Sequence, residues 1–191
     1  MDLLAPRKLS LVLLGMLLLS FPVMAQSREY KLKAAFIYNF IKFVEWPGSG
    51  TQIKVGILGD DPFQGELDKL EQKKVAGKSL TVTLLKTPAE AKNYQVVFAG
   101  DPQQAASLIK AVEGLPVLTV SDTPDFSKKG GAITLISSRN RIRFNINQGT
   151  LKKANLKASS KLLSLANTVY SAQFQEVGED TLYAALEGST P

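Results

Sequence analysis

A single three-layer α/β domain is the fold this sequence predicts: a mostly parallel sheet flanked by helices, with a C-terminal antiparallel hairpin at one edge. Three observations predict it. Between residues 53 and 120, short β-rich runs alternate with helical runs, the order expected of parallel strands joined by crossover helices. Two of the β-rich runs, 95–99 (QVVFA) and 116–120 (PVLTV), hardly alternate, as in strands covered on both faces. Two later runs, 132–136 and 141–146, are joined by a link of hairpin length.

The elements follow in order. Residues 1–25 read as a secretory signal peptide: Arg7 and Lys8, an apolar run from Leu9 to Leu19, then Pro22 and a small residue, Ala25, before the expected cut. That apolar run would span only about half of a bilayer, so it is read as a cleaved leader and the mature chain as free of transmembrane segments. The mature chain would begin at Gln26. Residues 26–171 are expected to form the domain and 172–191 a polar tail with one short element near Leu182–Leu186.

From Tyr30 to Trp46 apolar side chains cover most of a helical wheel, with Lys31, Asn39, Lys42 and Glu45 on one polar stripe and Lys33 away from it. This predicts a buried helix of about 25 Å. A strand over 53–58, a helix over 62–70, a strand over 79–85, a helical turn over 87–91 and a helix over 102–112 follow. The last carries Ala105, Leu108, Ile109 and Val112 on one side. A closing helix is expected within 150–170, where Lys153, Lys157 and Lys161 recur every four residues.

Composition narrows the function. The chain has 191 residues, a formal net charge of +6 and neither cysteine nor histidine. Losing Asp2, Arg7 and Lys8 with the leader leaves the mature chain at +5. No dense basic block is present, which argues against nucleic acid as a partner. Without His or Cys there is no Ser-His or Cys-His nucleophile pair and no ordinary zinc or copper site. The expectation is a protein that is not an enzyme and holds neither metal nor cofactor.

Three strand ends carry aspartate: Asp60-Asp61-Pro62, Asp101-Pro102 and Asp122-Thr123-Pro124. Aspartate before proline fits a helix N-cap, with the carboxylate accepting free N–H groups of the first turn and proline losing no bond. Ser121 and Asp122 can cap the turn before Pro124 in the same way. The alternative is a ligand site, because carboxyl ends of parallel strands share one edge where small molecules bind. Asp60, Asp61, Asp101 and Asp122 would then be its ligand-binding residues.

Arg139, Arg141 and Arg143 recur with period two, opposite Ile142, Phe144 and Ile146. One face of that strand is a row of guanidinium groups, either a solvated face that discourages edge pairing or a docking surface for an acidic partner. Lys153 and Lys157 are either part of a solvated face of the last helix or an extension of the partner-binding surface along it.

Several of these stretches occur together in one known family. The helix KAAFIYNFIKFVEWP, the strand end LTVSD, Gly130-Gly131 followed by AITL, the strand RIRFNIN and the run LKASSKLLSLA appear in that order. Across about Tyr30 to Ala166 the chain resembles the YfiR-like family of exported bacterial proteins. The resemblance implies a periplasmic repressor, usually dimeric, that acts without known catalysis. Its partner would be an inner-membrane diguanylate cyclase or another membrane sensor, and its effect to hold down cyclic di-GMP and biofilm formation. The best-known members carry redox-active cysteines. This chain has none, so a thiol signal does not carry over.

Overall fold

The computed structural model describes residues 21–171 apart from Ser49, Arg139 and Asn140, with side chains from Ser27 onward. Most of the leader and the tail expected at 172–191 lie outside the described residues. Helix α1 spans Phe21–Phe43, so it continues across the expected cleavage point. It buries Ala34, Ile37, Phe40 and Ile41, a spacing of three and four residues that forms one stripe. The helix was expected to reach Trp46. Instead Val44–Glu45 leaves it as strand β1 and pairs antiparallel with β9 (Lys157–Ala158). The Ser159 amide donates to the Phe43 carbonyl at 2.8 Å, so a distant segment takes up the helix end. Among the described residues no helix is long and apolar enough to cross a membrane.

The main sheet is built from β2 (Gln52–Leu58), β3 (Lys74–Val75), β4 (Lys78–Leu85), β5 (Val96–Ala99), β6 (Leu118–Ser121), β7 (Ile133–Ser138), β8 (Arg141–Asn147) and β10 (Thr168–Tyr170). Their spatial order is β10-β8-β7-β6-β5-β2-β4-β3. From β4 across to β7 every pairing is parallel. The hairpin β7–β8 is antiparallel, with Leu135 opposite Phe144. All four residues of β5 and of β6 are buried, because helical layers cover both faces of the sheet centre.

Alternation divides these strands between two cores. Phe98 joins Ile37, Phe40, Phe63 and Phe144 beneath α1. Val97 and Ala99 face the other way, towards Ala105, Leu108 and Phe126. The second layer consists of α2 (Pro102–Ala111) and a 3-10 helix at Pro88–Asn93. The α1 core is held by edge-to-face aromatic pairs: Phe40 with Phe144 at 5.1 Å and Phe63 with Phe98 at 4.7 Å between centroids.

Three expectations about elements are corrected. The helix expected at 62–70 is a series of turns followed by a 3-10 helix at Asp68–Gln72. Gln64 and Gly65 sit at φ 51° and 78°, a left-handed conformation that an α-helix cannot contain. The unexpected β3 pairs with β4 across a two-residue turn, Ala76-Gly77, with φ 51° and 79°, the geometry of a tight hairpin. The closing helix is two short ones, α3 (Gln148–Lys153) and α4 (Ser160–Leu165), with β9 between them and β10 after them. Asn155 at φ 54° ends the first, and the Ser159 hydroxyl starts the second by accepting from the Leu162 amide. Lys153, Lys157 and Lys161 therefore lie on three different elements. β10 pairs in parallel with β8, Val169 opposite Ile146, and extends the sheet one strand beyond the hairpin.

Candidate functional site

The aspartates at the strand ends differ in use. Asp61 accepts the Phe63 amide at 2.8 Å and the Gly65 amide at 3.0 Å. Asp101 caps α2 by accepting the Gln104 amide at 2.8 Å, with Pro102 in the first turn. Asp60 is exposed. Gly59 sits at φ 83°, a left-handed conformation that favours glycine, and the Gln104 side-chain amide lies against the space a Cβ would take.

Asp122 departs from the expected cap. Its Oδ2 accepts the Lys33 ammonium at 2.5 Å and the Tyr30 hydroxyl at 3.0 Å. The turn before Pro124 is capped by Ser121 alone, whose hydroxyl accepts the Thr123 amide at 3.0 Å. Lys33 also pairs with Glu29 at 2.6 Å, and the Ser137 hydroxyl donates to that carboxylate at 2.6 Å. Lys33 is 3% exposed. This cluster joins α1 to the carboxyl ends of β6 and β7. Burial pushes the Lys33 ammonium down, but hydrogen bonds to Asp122 and Glu29 outweigh it and hold its pKa above the ordinary lysine value. Burial likewise pushes Glu29 up, yet its bonds to Lys33 and Ser137 leave it below the ordinary carboxylate value. Burial and the Asp122 charge raise Tyr30.

The sequence analysis passed over this cluster. Its signal was Lys33, a cation off the polar stripe of an apolar helix. The partner, 89 positions later, left no local mark. Among the described residues no group of three or more His, Cys, Asp or Glu could hold a metal ion.

The basic residues do not form one surface. Arg141 and Arg143 are exposed on β8. Phe144 packs on Phe36 and Phe40 of α1, so strand alternation turns the two arginines to the opposite face of the sheet. Arg143 donates to the Asn167 side chain at 3.3 Å. Arg139 lies outside the described residues. Lys153 and Lys157 are exposed but come from segments that pack in the α1 layer, through Leu151, Ala154 and Leu156.

A further feature, also missed, is a cleft of about 1040 Å³ between the first half of α1 and the 3-10 helix at Asp68–Gln72. Leu32, Ala35 and Leu70 give it apolar walls, and Arg28, Lys31, Lys69 and Lys73 give it a basic rim. Glu66 is the acidic lining residue and is paired with Lys69 at 2.6 Å.

The sequence profile of the YfiR/HmsC-like family matches residues 30–167, well over half of the chain. The chain belongs to this family. The YfiR/HmsC-like match contains α1 from Tyr30, the Lys33–Asp122 pair and the arginine strand. No curated protein sequence matches the chain. Two solved structures share part of its outline. A conserved domain protein from Vibrio cholerae O1 biovar El Tor has a TM-score of 0.47 at 11% identity, covering 73% of this chain and 60% of that one. An ABC domain in complex with L-Trp from Streptococcus pneumoniae has a TM-score of 0.43 at 8% identity, covering 61% and 55%. The chain thus spans a little over half the length of each, and neither likeness bears on its function.

Proposed function

We propose that this member of the YfiR/HmsC-like family restrains an inner-membrane diguanylate cyclase by binding its periplasmic part, and so lowers cyclic di-GMP and biofilm formation. The family match over residues 30–167 carries this reading. The absence of histidine and cysteine agrees with it, since restraint by binding needs no chemistry. The regulator has only to favour one conformation of its partner. A preference of about 2.8 kcal/mol shifts that equilibrium roughly a hundredfold. The leader is cleaved after Ala25, and the mature protein acts as a homodimer.

Arg141 and Arg143 are the docking residues of choice. They are exposed and make no ion pair among the described residues. The sheet on either side of them, β7 and β10, holds their spacing fixed. A small-ligand site at Asp60, Asp61, Asp101 and Asp122 has less support, because three of the four carboxylates already accept hydrogen bonds within the protein.

The test is Arg141→Ala with Arg143→Ala in a strain lacking the native gene. The double variant should melt at the wild-type temperature while cellular cyclic di-GMP rises towards the deletion level. Repression equal to wild type would remove the arginine pair as the docking surface. A deletion strain with unchanged cyclic di-GMP would remove the cyclase as the partner.

A further inference from the structure

The cleft between α1 and the 3-10 helix at Asp68–Gln72 brings two chemistries together. Arg28, Lys31, Leu32 and Ala35 fall at i, i+3, i+4 and i+7 of α1, one exposed stripe that mixes two cations with two apolar side chains. From the other wall come Leu70 and Lys73. The Lys73 ammonium is held over the Tyr38 ring at 4.7 Å, which fixes one cation at the rim. Glu66, the one acidic residue among the described lining, is taken by Lys69 at 2.6 Å. Arg28, Lys31 and Lys73 make no ion pair among the described residues. The rim therefore keeps a surplus of positive charge around an apolar recess.

The chemistry of the walls narrows the ligand. Among the described lining residues there is no aromatic ring to stack a planar ligand and no side-chain amide to read a sugar or a base. Aliphatic surface and positive charge are what the walls offer. We propose that this cleft binds a single-chain anionic amphiphile, a free long-chain carboxylate, with its hydrocarbon against Leu32, Ala35 and Leu70 and its head against the basic rim. This does not rest on the regulatory reading above.

Size and depth favour one free chain. The cleft holds about 1040 Å³, at the upper end of the roughly 300–1,000 Å³ of small-molecule sites. Leu32 is 40% exposed at its edge, but Leu70 is only 4% exposed, too deep for the surface of a bilayer to touch. An acyl chain has to leave its membrane to reach it. Affinity then depends on chain length, because each methylene taken from water tightens binding by up to about fourfold. A bound carboxylate covers Leu32 and offsets the charge of the rim, so it changes the flank that α1 presents to an acidic partner.

The test titrates the purified, lipid-stripped full chain with dodecanoate by calorimetry, below the concentration at which the ligand self-associates. One molecule should bind per chain, at least tenfold more tightly than octanoate and than the cationic analogue dodecyltrimethylammonium. Lys31→Gln with Lys73→Gln should weaken binding about tenfold, the sum of two exposed charge contacts. Leu32→Gln, which leaves every charge in place, should weaken it as well. Glu66→Gln should tighten it about threefold by removing the competing carboxylate. Lys92→Gln with Lys110→Gln, on the far layer, should change nothing. All these side chains but Glu66 are exposed, and melting temperatures without ligand should match that of the wild type. No saturable binding, equal affinity for the cationic analogue, or full affinity in the Lys31/Lys73 or Leu32 variant would each overturn the proposal. So would sedimentation with phosphatidylglycerol vesicles in the absence of dodecanoate binding, which would make the ligand a membrane surface. No membrane protein takes part, so the result is separate from that of the cyclase test.

Discussion

Strands β2 and β5 end in aspartates that turn inward on their own backbone, whereas β6 ends in one that reaches across to another layer. Asp61 and Asp101 each stand directly before a proline and accept amides two to four residues on. Asp122 stands one residue further from its proline, and Ser121 takes the local amide. That leaves the Asp122 carboxylate available to Lys33 and Tyr30 on α1. The same side chain at the same kind of strand end thus organises a turn in two places and joins two layers in the third. Partner supply decides between these roles: a neighbour that satisfies the local amide frees the carboxylate for distant use.

Substitution at the long-range pair should have the largest effect. Lys33→Ala leaves the Asp122 carboxylate, 13% exposed, facing a void, and should cost about 3 kcal/mol. In a domain of this size that lowers the melting temperature by about 10 °C. A loss no greater than that of the cap variants would erase the distinction between the two kinds of strand end. Asp61→Ala and Asp101→Ala should each cost about 1 kcal/mol, the usual value of a cap, with exposed Asp60→Ala as a near-neutral reference. Denaturant midpoints at constant slope would measure all three.

The smallest effect is confined to acid pH. Glu29 has a folded pKa below its ordinary 4.5, so its stabilisation is complete above that value and is lost as pH falls through the depressed one. Lys33 has a folded pKa above its ordinary 10.5, so its share is complete below that value and is lost only at higher pH. Melting temperature should therefore be level from about pH 5 to 10 for these groups. Glu29→Gln should flatten the acid limb and leave the alkaline limb in place. An unchanged acid limb would place the acid sensitivity elsewhere.

The central sheet was legible because its signals are local. The apolar runs of β5 and β6 and the period-two pattern of β8 each name their element without outside help. Asp101-Pro102 likewise announced a cap on a helix that exists. The elements misread were those decided by distant partners or single backbone angles. Val44–Glu45 continues an apolar helical pattern yet pairs with β9. The 150–170 segment has helical periodicity but is broken by one left-handed residue, Asn155. At the site, Lys33 could be seen as anomalous, but its partner Asp122 and the cleft of Lys31, Lys69 and Lys73 required the tertiary fold. Arg141 and Arg143 were correctly read as one face of a strand; Arg139 lies outside the described residues. That this face lies opposite the layer bearing Lys153 and Lys157 follows only from the packing of Phe144 and Leu151.

The polar and backbone attachments of α1 come from late in the chain, Asp122 and Ser137 near its start and Ser159 at its end, and Phe144 meets its middle, whereas Phe63 meets Tyr30 from much nearer in sequence. A polypeptide delivered across a membrane with its N-terminus leading would present this apolar helix first and its seat last. Until Asp122, Phe144 and Ser159 have followed, the seat of the helix would be incomplete at its start, its middle and its end, with only the earlier core residues such as Phe63 in place. In a chain delivered that way, the ion pair at the start of α1 and the aromatic contact at its middle would close only when the strand end bearing Asp122 and the hairpin behind it are in place.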